Sequence, residues 1–194
     1  MATLITLSRV ALIVPFAAMF YVAADWAMKA ALVIFLIAAA TDFLDGYVAR
    51  ARGEASALGA ALDPLADKLL VTAALILLIR NGVIAGAGVI AALVIVLREI
   101  LVGGLREAVG KAGGELPVTP LAKGKTAMQL IAVGLLLAAA PGGIGGEALR
   151  PIASGAFWLA AVLTFWTGAA YARRATALLK RDGARKDASG GPRP

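Results

Sequence analysis

Six apolar runs divide this chain, at about 10–24, 29–49, 60–79, 83–105, 121–140 and 151–172, and no other feature restricts its fold as much. A helix of roughly 20 apolar residues crosses the hydrocarbon of a bilayer, and each run approaches that length. Short breaks at 24–26 and 80–82 and a Gly-rich one at 141–151 join some runs, while longer, more charged breaks at 51–62 and 107–120 join others. The chain is 61% hydrophobic, well above the roughly 45–50% of soluble domains. Its mean hydropathy is +0.87. The apolar mass is Ala, Leu, Ile and Val, and small residues let helices approach closely in lipid. The expected fold is an all-α integral membrane protein, a bundle of six transmembrane helices. A short interfacial helix is expected over Met1–Arg9, where Thr3, Thr6 and Arg9 punctuate Leu4, Ile5 and Leu7. Residues 1–180 make one transmembrane domain, and 181–194 a basic, disordered cytoplasmic tail rich in Gly, Ser and Pro. Arg9, the following apolar run and Val22-Ala23-Ala24 also have the outline of a cleaved signal peptide, but a membrane-embedded remainder favours a retained first span.

Charge orients the bundle. With six spans and both ends on one side, Lys29, Arg80 and Arg150 fall on one face and the other 16 of the 19 basic residues on the opposite face. The positive-inside tendency makes the richer face cytoplasmic. The net charge of +7 therefore reflects membrane orientation, not nucleic-acid binding.

The chain has no Cys and no His. Disulfides, thiolate metal sites and imidazole bases are excluded, which leaves carboxylates as the natural ligands and bases, with Lys or Tyr as remote alternatives. Four of its twelve acids, Asp42, Asp45, Asp63 and Asp67, lie close together at the edges of two apolar runs. An Asp costs about 2.5–3.5 kcal/mol at the centre of a transmembrane helix and less near its ends, so these positions need a reason. Asp42, Asp45, Gly46 and Ala49 are spaced i, i+3, i+4, i+7, one stripe of a helix; Asp63 and Asp67, at i, i+4, share a face of the next. Four converging carboxylates repel one another, and hard divalent cations with oxygen preference, Mg²⁺ or Mn²⁺, resolve the conflict in a two-metal site. Gly46 and Gly59 either let a ligand approach the backbone or pack helices. Arg50 either holds a diphosphate oxygen or anchors the chain at the membrane surface. Pro64 starts or kinks the next helix. The residues alone reach as far as phosphoryl chemistry on a lipid-linked substrate.

The pattern Asp45-Gly46-x2-Ala49-Arg50-x8-Gly59-x3-Asp63-x3-Asp67, preceded by Asp42, resembles the signature of the CDP-alcohol phosphatidyltransferases at every fixed position. The resemblance implies six transmembrane helices, a cytoplasmic-side site and a homodimer. It implies that Asp42, Asp45, Asp63 and Asp67 bind two divalent ions and that Asp67 deprotonates the acceptor hydroxyl. It also implies that Gly46, Ala49 and Gly59 line the nucleotide pocket of CDP-diacylglycerol and that Arg50 holds its diphosphate.

The acceptor must be read elsewhere. Thr6-Leu-Ser-Arg9, Leu97-Arg98-Glu99-Ile100 with Leu105-Arg106-Glu107, and Lys123-Gly-Lys125-Thr126-Ala-Met-Gln129 resemble segments of bacterial phosphatidylglycerophosphate synthases. Glycerol 3-phosphate is a dianion, and Arg98, Arg106, Lys123 and Lys125 are the cations expected to bind its phosphate; as a bland alternative they anchor the spans at anionic lipid. Arg98 lies two turns deeper than Arg106 and needs a partner. Glu99, on the adjacent face, is not expected to be that partner, so a carboxylate or phosphate in the site is. The implied reaction joins CDP-diacylglycerol to glycerol 3-phosphate at a bacterial inner membrane. Inositol phosphate, serine or phosphatidylglycerol are alternative acceptors. A divalent-cation transporter is a remote one, because its acids would lie near the midplane of broken helices.

Overall fold

A computed structural model describes residues 2–52, 57–117 and 120–188, with side chains described at 8, 10–41, 68–117 and 124–180. Among these residues the chain is all-helical. Six α-helices follow one another: α1 (Ala2–Met19), α2 (Ala27–Arg52), α3 (Ala57–Arg80), α4 (Gly88–Lys111), α5 (Pro120–Ala139) and α6 (Arg150–Ala188), with a 3-10 turn over Gly146–Leu149 before the last.

Three boundaries differ from the sequence expectation. Met1–Arg9 does not hold a helix of its own: residues 2–9 are the first turns of α1, because no Gly or Pro interrupts the helix between Arg9 and the apolar run. Pro64 lies inside α3 and does not open it; Ala57, Leu58, Ala60 and Ala61 supply strong helix formers ahead of it. At the other end α6 continues to Ala188, beyond the expected start of the tail, where Arg181, Ala184, Arg185, Lys186 and Ala188 favour helix. Residues 189–194 of that tail lie outside the described residues.

The helices pack with α5 against α2, α3 and α6, with α1 covering α2 and α3, and with α4 lying mainly along α6. Phe16, Phe35, Leu70, Leu75, Leu78, Ile95, Val133 and Leu137 fill the core. Phe16 and Phe20 meet edge to face at 5.3 Å between centroids. Arg80, at the end of α3, places its guanidinium 4.0 Å over the Tyr21 ring and donates to the Phe20 carbonyl, tying α3 to the end of α1.

The outside is apolar as well. Val33, Leu36 and Ile37 on α2, Leu93, Leu97 and Ile100 on α4, and Val162, Phe165 and Trp166 on α6 are each more than half exposed. A helix that is apolar all round suits a lipid surrounding, and contiguous outward apolar faces of this extent are foreign to monomers in water. Among the described residues, α4 and the stretch Gly146–Lys180 are long and apolar enough to cross a membrane. The buried polar side chains Arg98, Lys125, Gln129, Thr164 and Thr167 stand out against this background.

Candidate active site

Those polar side chains form one cluster where α4, α5 and α6 meet. Glu99 is its hub. Its Oε1 accepts from Arg98 Nη1 at 3.1 Å and from Lys125 Nζ, a direct ion pair between α4 and α5. Arg98 and Lys125 are 8% and 3% exposed, so both charges are withdrawn from water and depend on protein partners. Gln129, one turn beyond Lys125, lies beside Glu99 and donates through Nε2 to Thr164 Oγ1 at 2.9 Å. Arg98 Nη2 donates to Thr167 Oγ1 at 3.3 Å, and the Thr167 hydroxyl in turn donates to the Leu163 carbonyl at 2.8 Å.

The pairing of Arg98 with Glu99 corrects the sequence expectation. Neighbouring residues on a helix point about 100° apart, yet the long Arg and Glu side chains close that gap when both reach into the same groove. Arg98 has room to do so because α6 carries Gly168 there. A Cβ at Gly168 would lie 2.6 Å from Arg98 Cγ.

Towards the later turns of α4, Tyr171 takes over. Arg106 Nη2 donates to its hydroxyl at 3.3 Å, and the hydroxyl donates to the Pro117 carbonyl at 3.0 Å. The ring also faces both guanidinium groups, with centroid distances of 5.2 Å to Arg106 and 5.7 Å to Arg98. Cation–π contacts of this kind hold an Arg without using up its donors. Arg98 Nε and Arg106 Nε are buried and have no hydrogen-bond partner among the described residues. Buried donors of charged groups are rarely left unmade, and two on neighbouring arginines mark a place where an anion fits. Arg98, Arg106 and Lys125 against Glu99 leave two positive charges in excess among the described side chains of the cluster.

The cluster thus brings together three of the four cations expected from sequence, Arg98, Arg106 and Lys125. Lys123 is on α5, but its side chain lies outside the described residues. The same holds for the acid segment. Asp42, Asp45, Gly46, Ala49 and Arg50 lie on α2, and Gly59, Asp63 and Asp67 on α3; their side chains lie outside the described residues. Both stretches are unbroken helix, so the i, i+3 and i, i+4 registers are kept, and α2 and α3 are packing neighbours. Glu99, Thr164, Thr167, Gly168 and Tyr171 were not singled out as site residues by sequence. A cavity of about 560 Å³ lies at the opposite end of α4, around Gly88, Arg150 and Trp158, away from the cluster.

Residues 1–166 match the family model described as CDP-alcohol phosphatidyltransferase. The chain belongs to the CDP-alcohol phosphatidyltransferase family. The match takes in the acid helices and Arg98, Arg106 and Lys125, while Thr167, Gly168 and Tyr171 follow just beyond it. Among curated CDP-alcohol phosphatidyltransferase relatives, the chain is 41% identical over 187 residues to the CDP-diacylglycerol–glycerol-3-phosphate 3-phosphatidyltransferase of Pseudomonas fluorescens, with 93% of this chain and 92% of that one covered. It is 38% identical over 183 residues to CDP-diacylglycerol–glycerol-3-phosphate 3-phosphatidyltransferase 2 of Arabidopsis thaliana, covering 89% and 78%. A third, the enzyme of the same name from Rickettsia bellii, is 35% identical over 173 residues, covering 86% and 90%.

Proposed function

We propose that this chain is an integral-membrane enzyme that transfers the phosphatidyl group of CDP-diacylglycerol to glycerol 3-phosphate, giving phosphatidylglycerophosphate and CMP. Family membership and the relatives' names support the reaction type. The observation that carries the acceptor is the cluster of buried Arg98 and Lys125 with half-buried Arg106, and its two guanidinium N–H groups, Arg98 Nε and Arg106 Nε, that are buried without a partner among the described residues. A dianionic phosphate supplies the charge and the acceptor oxygens that this cluster lacks. A zwitterionic alcohol such as serine does not; inositol phosphate would, and the relatives' names favour glycerol 3-phosphate over it. The outward apolar faces and the charge asymmetry support a bundle in the cytoplasmic membrane, with both termini and the site facing the cytoplasm.

Asp42, Asp45, Asp63 and Asp67 fit two divalent cations by donor chemistry: four carboxylates on two packed helices, in a chain without His or Cys. Bound there, Mg²⁺ or Mn²⁺ would neutralise charge on the diphosphate. The protein's own residues do the rest. Gly46, Ala49 and Gly59 leave room for the nucleotide, and Arg50 holds a diphosphate oxygen. Arg98, Arg106, Lys123 and Lys125 fix the phosphate of glycerol 3-phosphate, which orients its free hydroxyl. Asp67 takes the hydroxyl proton as the oxygen attacks the lipid-side phosphorus. The bond from that phosphorus to the bridging oxygen breaks, and CMP leaves with the electron pair.

Replacing Lys123→Ala together with Lys125→Ala raises the KM for glycerol 3-phosphate about tenfold or more and leaves the KM for CDP-diacylglycerol nearly unchanged, as loss of a substrate-specific contact requires. Steady-state CMP release at varied concentrations of each substrate measures both. An equal rise in the two KM values would make these lysines membrane anchors.

A further inference from the structure

Lys68 follows Asp67 on α3, and its side chain reaches across to α4. A Cβ placed on Gly103 would lie 2.7 Å from Lys68 Nζ, so the ammonium occupies the space that a side chain at this position would fill. Gly103 is one turn from Glu99 and one turn from Arg106. The ammonium therefore rests against the stretch of α4 that carries the cation cluster, while its backbone belongs to the helix of Asp63 and Asp67. Lys68 is half-buried, and among the described residues it has no hydrogen-bond or ion-pair partner. An ammonium has three N–H donors and no acceptor. Drawing it out of water towards Arg98, Arg106 and Lys125 is unfavourable unless an anion comes to meet it.

We infer that Lys68 is a further phosphate-binding residue, admitted by Gly103 to the seam between the acid-bearing α3 and the cation cluster of α4. The inference rests on the phosphoryl-transfer reading above. Two phosphates reach this seam in that reading, the phosphate of glycerol 3-phosphate and the diphosphate of CDP-diacylglycerol, and both offer the oxygens that an ammonium takes.

The test compares Lys68→Met, Lys68→Arg and Gly103→Ala in the full-length protein, with CMP release measured at varied concentrations of both substrates. Lys68→Met raises the KM for glycerol 3-phosphate about tenfold if the residue holds the acceptor. It lowers kcat about a hundredfold, or raises the KM for CDP-diacylglycerol, if it holds the donor or the phosphoryl group in transfer. Either pattern supports the inference, and Lys68→Arg, which keeps the charge, recovers part of the loss. Gly103→Ala displaces the ammonium without weakening the helix, since Ala favours helix over Gly. It reproduces the Lys68→Met pattern, and the double variant is no worse than Lys68→Met alone. Values within twofold of wild type for Lys68→Met and Gly103→Ala, or additive losses in the double variant, overturn the inference. The Lys123→Ala/Lys125→Ala variant runs in the same assay. If it shifts the glycerol 3-phosphate KM while Lys68→Met does nothing, Lys68 alone loses its role. If it shifts nothing selectively while Lys68→Met does, the acceptor assignment fails and Lys68 stands.

Discussion

Replacing Asp67→Asn lowers turnover by about a thousandfold or more while the protein still inserts in the membrane. The two side chains have the same shape, and the amide neither accepts a proton nor carries charge. A positioned general base contributes about 10²–10⁴ in rate, and loss of a ligand to a bound cation adds to that. The chain has no His and no Cys to take over the proton. The helix around Asp67 is unbroken from Ala57 to Arg80, and Leu70, Val71, Ala74 and Leu75 on it are buried in the core, so a surface-conserving change at one position leaves the bundle assembled. CMP release by the purified variant, set beside its yield in the membrane fraction, checks this. Near-normal release would remove Asp67 from the mechanism.

The second large effect is expected at Glu99. Its carboxylate is the shared counter-ion of Arg98 and Lys125, both buried. Removing one partner of a buried ion pair costs about 3–5 kcal/mol, because the remaining charge is left uncompensated. With Glu99→Gln, two cations lose the same carboxylate, and the affected helices, α4 and α5, both border α6. The variant therefore unfolds at a clearly lower temperature in detergent micelles. A phosphate can stand in for the missing charge, so glycerol 3-phosphate raises the Tm of Glu99→Gln more than that of wild type. Equal shifts in the two proteins would mean that the ligand does not enter this cluster.

The helical architecture was legible because apolar runs of about 20 residues leave few alternatives. The acid registers on α2 and α3 were legible for the same reason that they are needed: carboxylates at i, i+3 and i, i+4 inside apolar sequence stand out. The α6 side of the cluster carried the same signal. Thr164, Thr167, Gly168 and Tyr171 are spaced i, i+3, i+4, i+7, as are Asp42, Asp45, Gly46 and Ala49. Hydroxyls cost far less to bury than carboxylates, so this stripe does not disturb the hydropathy of its span and reads as ordinary transmembrane sequence. The role of Glu99 is hidden from sequence for a different reason. Helical spacing fixes where a Cβ points, but a side chain with three or four rotatable bonds can swing into a neighbouring groove, and only the packing of α4 along α6, with Lys125 reaching in from α5, decides which. The approach of Lys68 to Gly103 was beyond sequence altogether, since it depends on the relative register of α3 and α4.

The central claim is that the cation cluster takes the phosphate of the acceptor, and that this acceptor is glycerol 3-phosphate. The most direct measurement is CMP release by the purified protein in micelles containing CDP-diacylglycerol and Mg²⁺, with glycerol 3-phosphate, glycerol, serine, inositol phosphate or phosphatidylglycerol added one at a time. Rapid release with glycerol 3-phosphate, and little with glycerol or the others, is the predicted result. Release with another acceptor but none with glycerol 3-phosphate would contradict it.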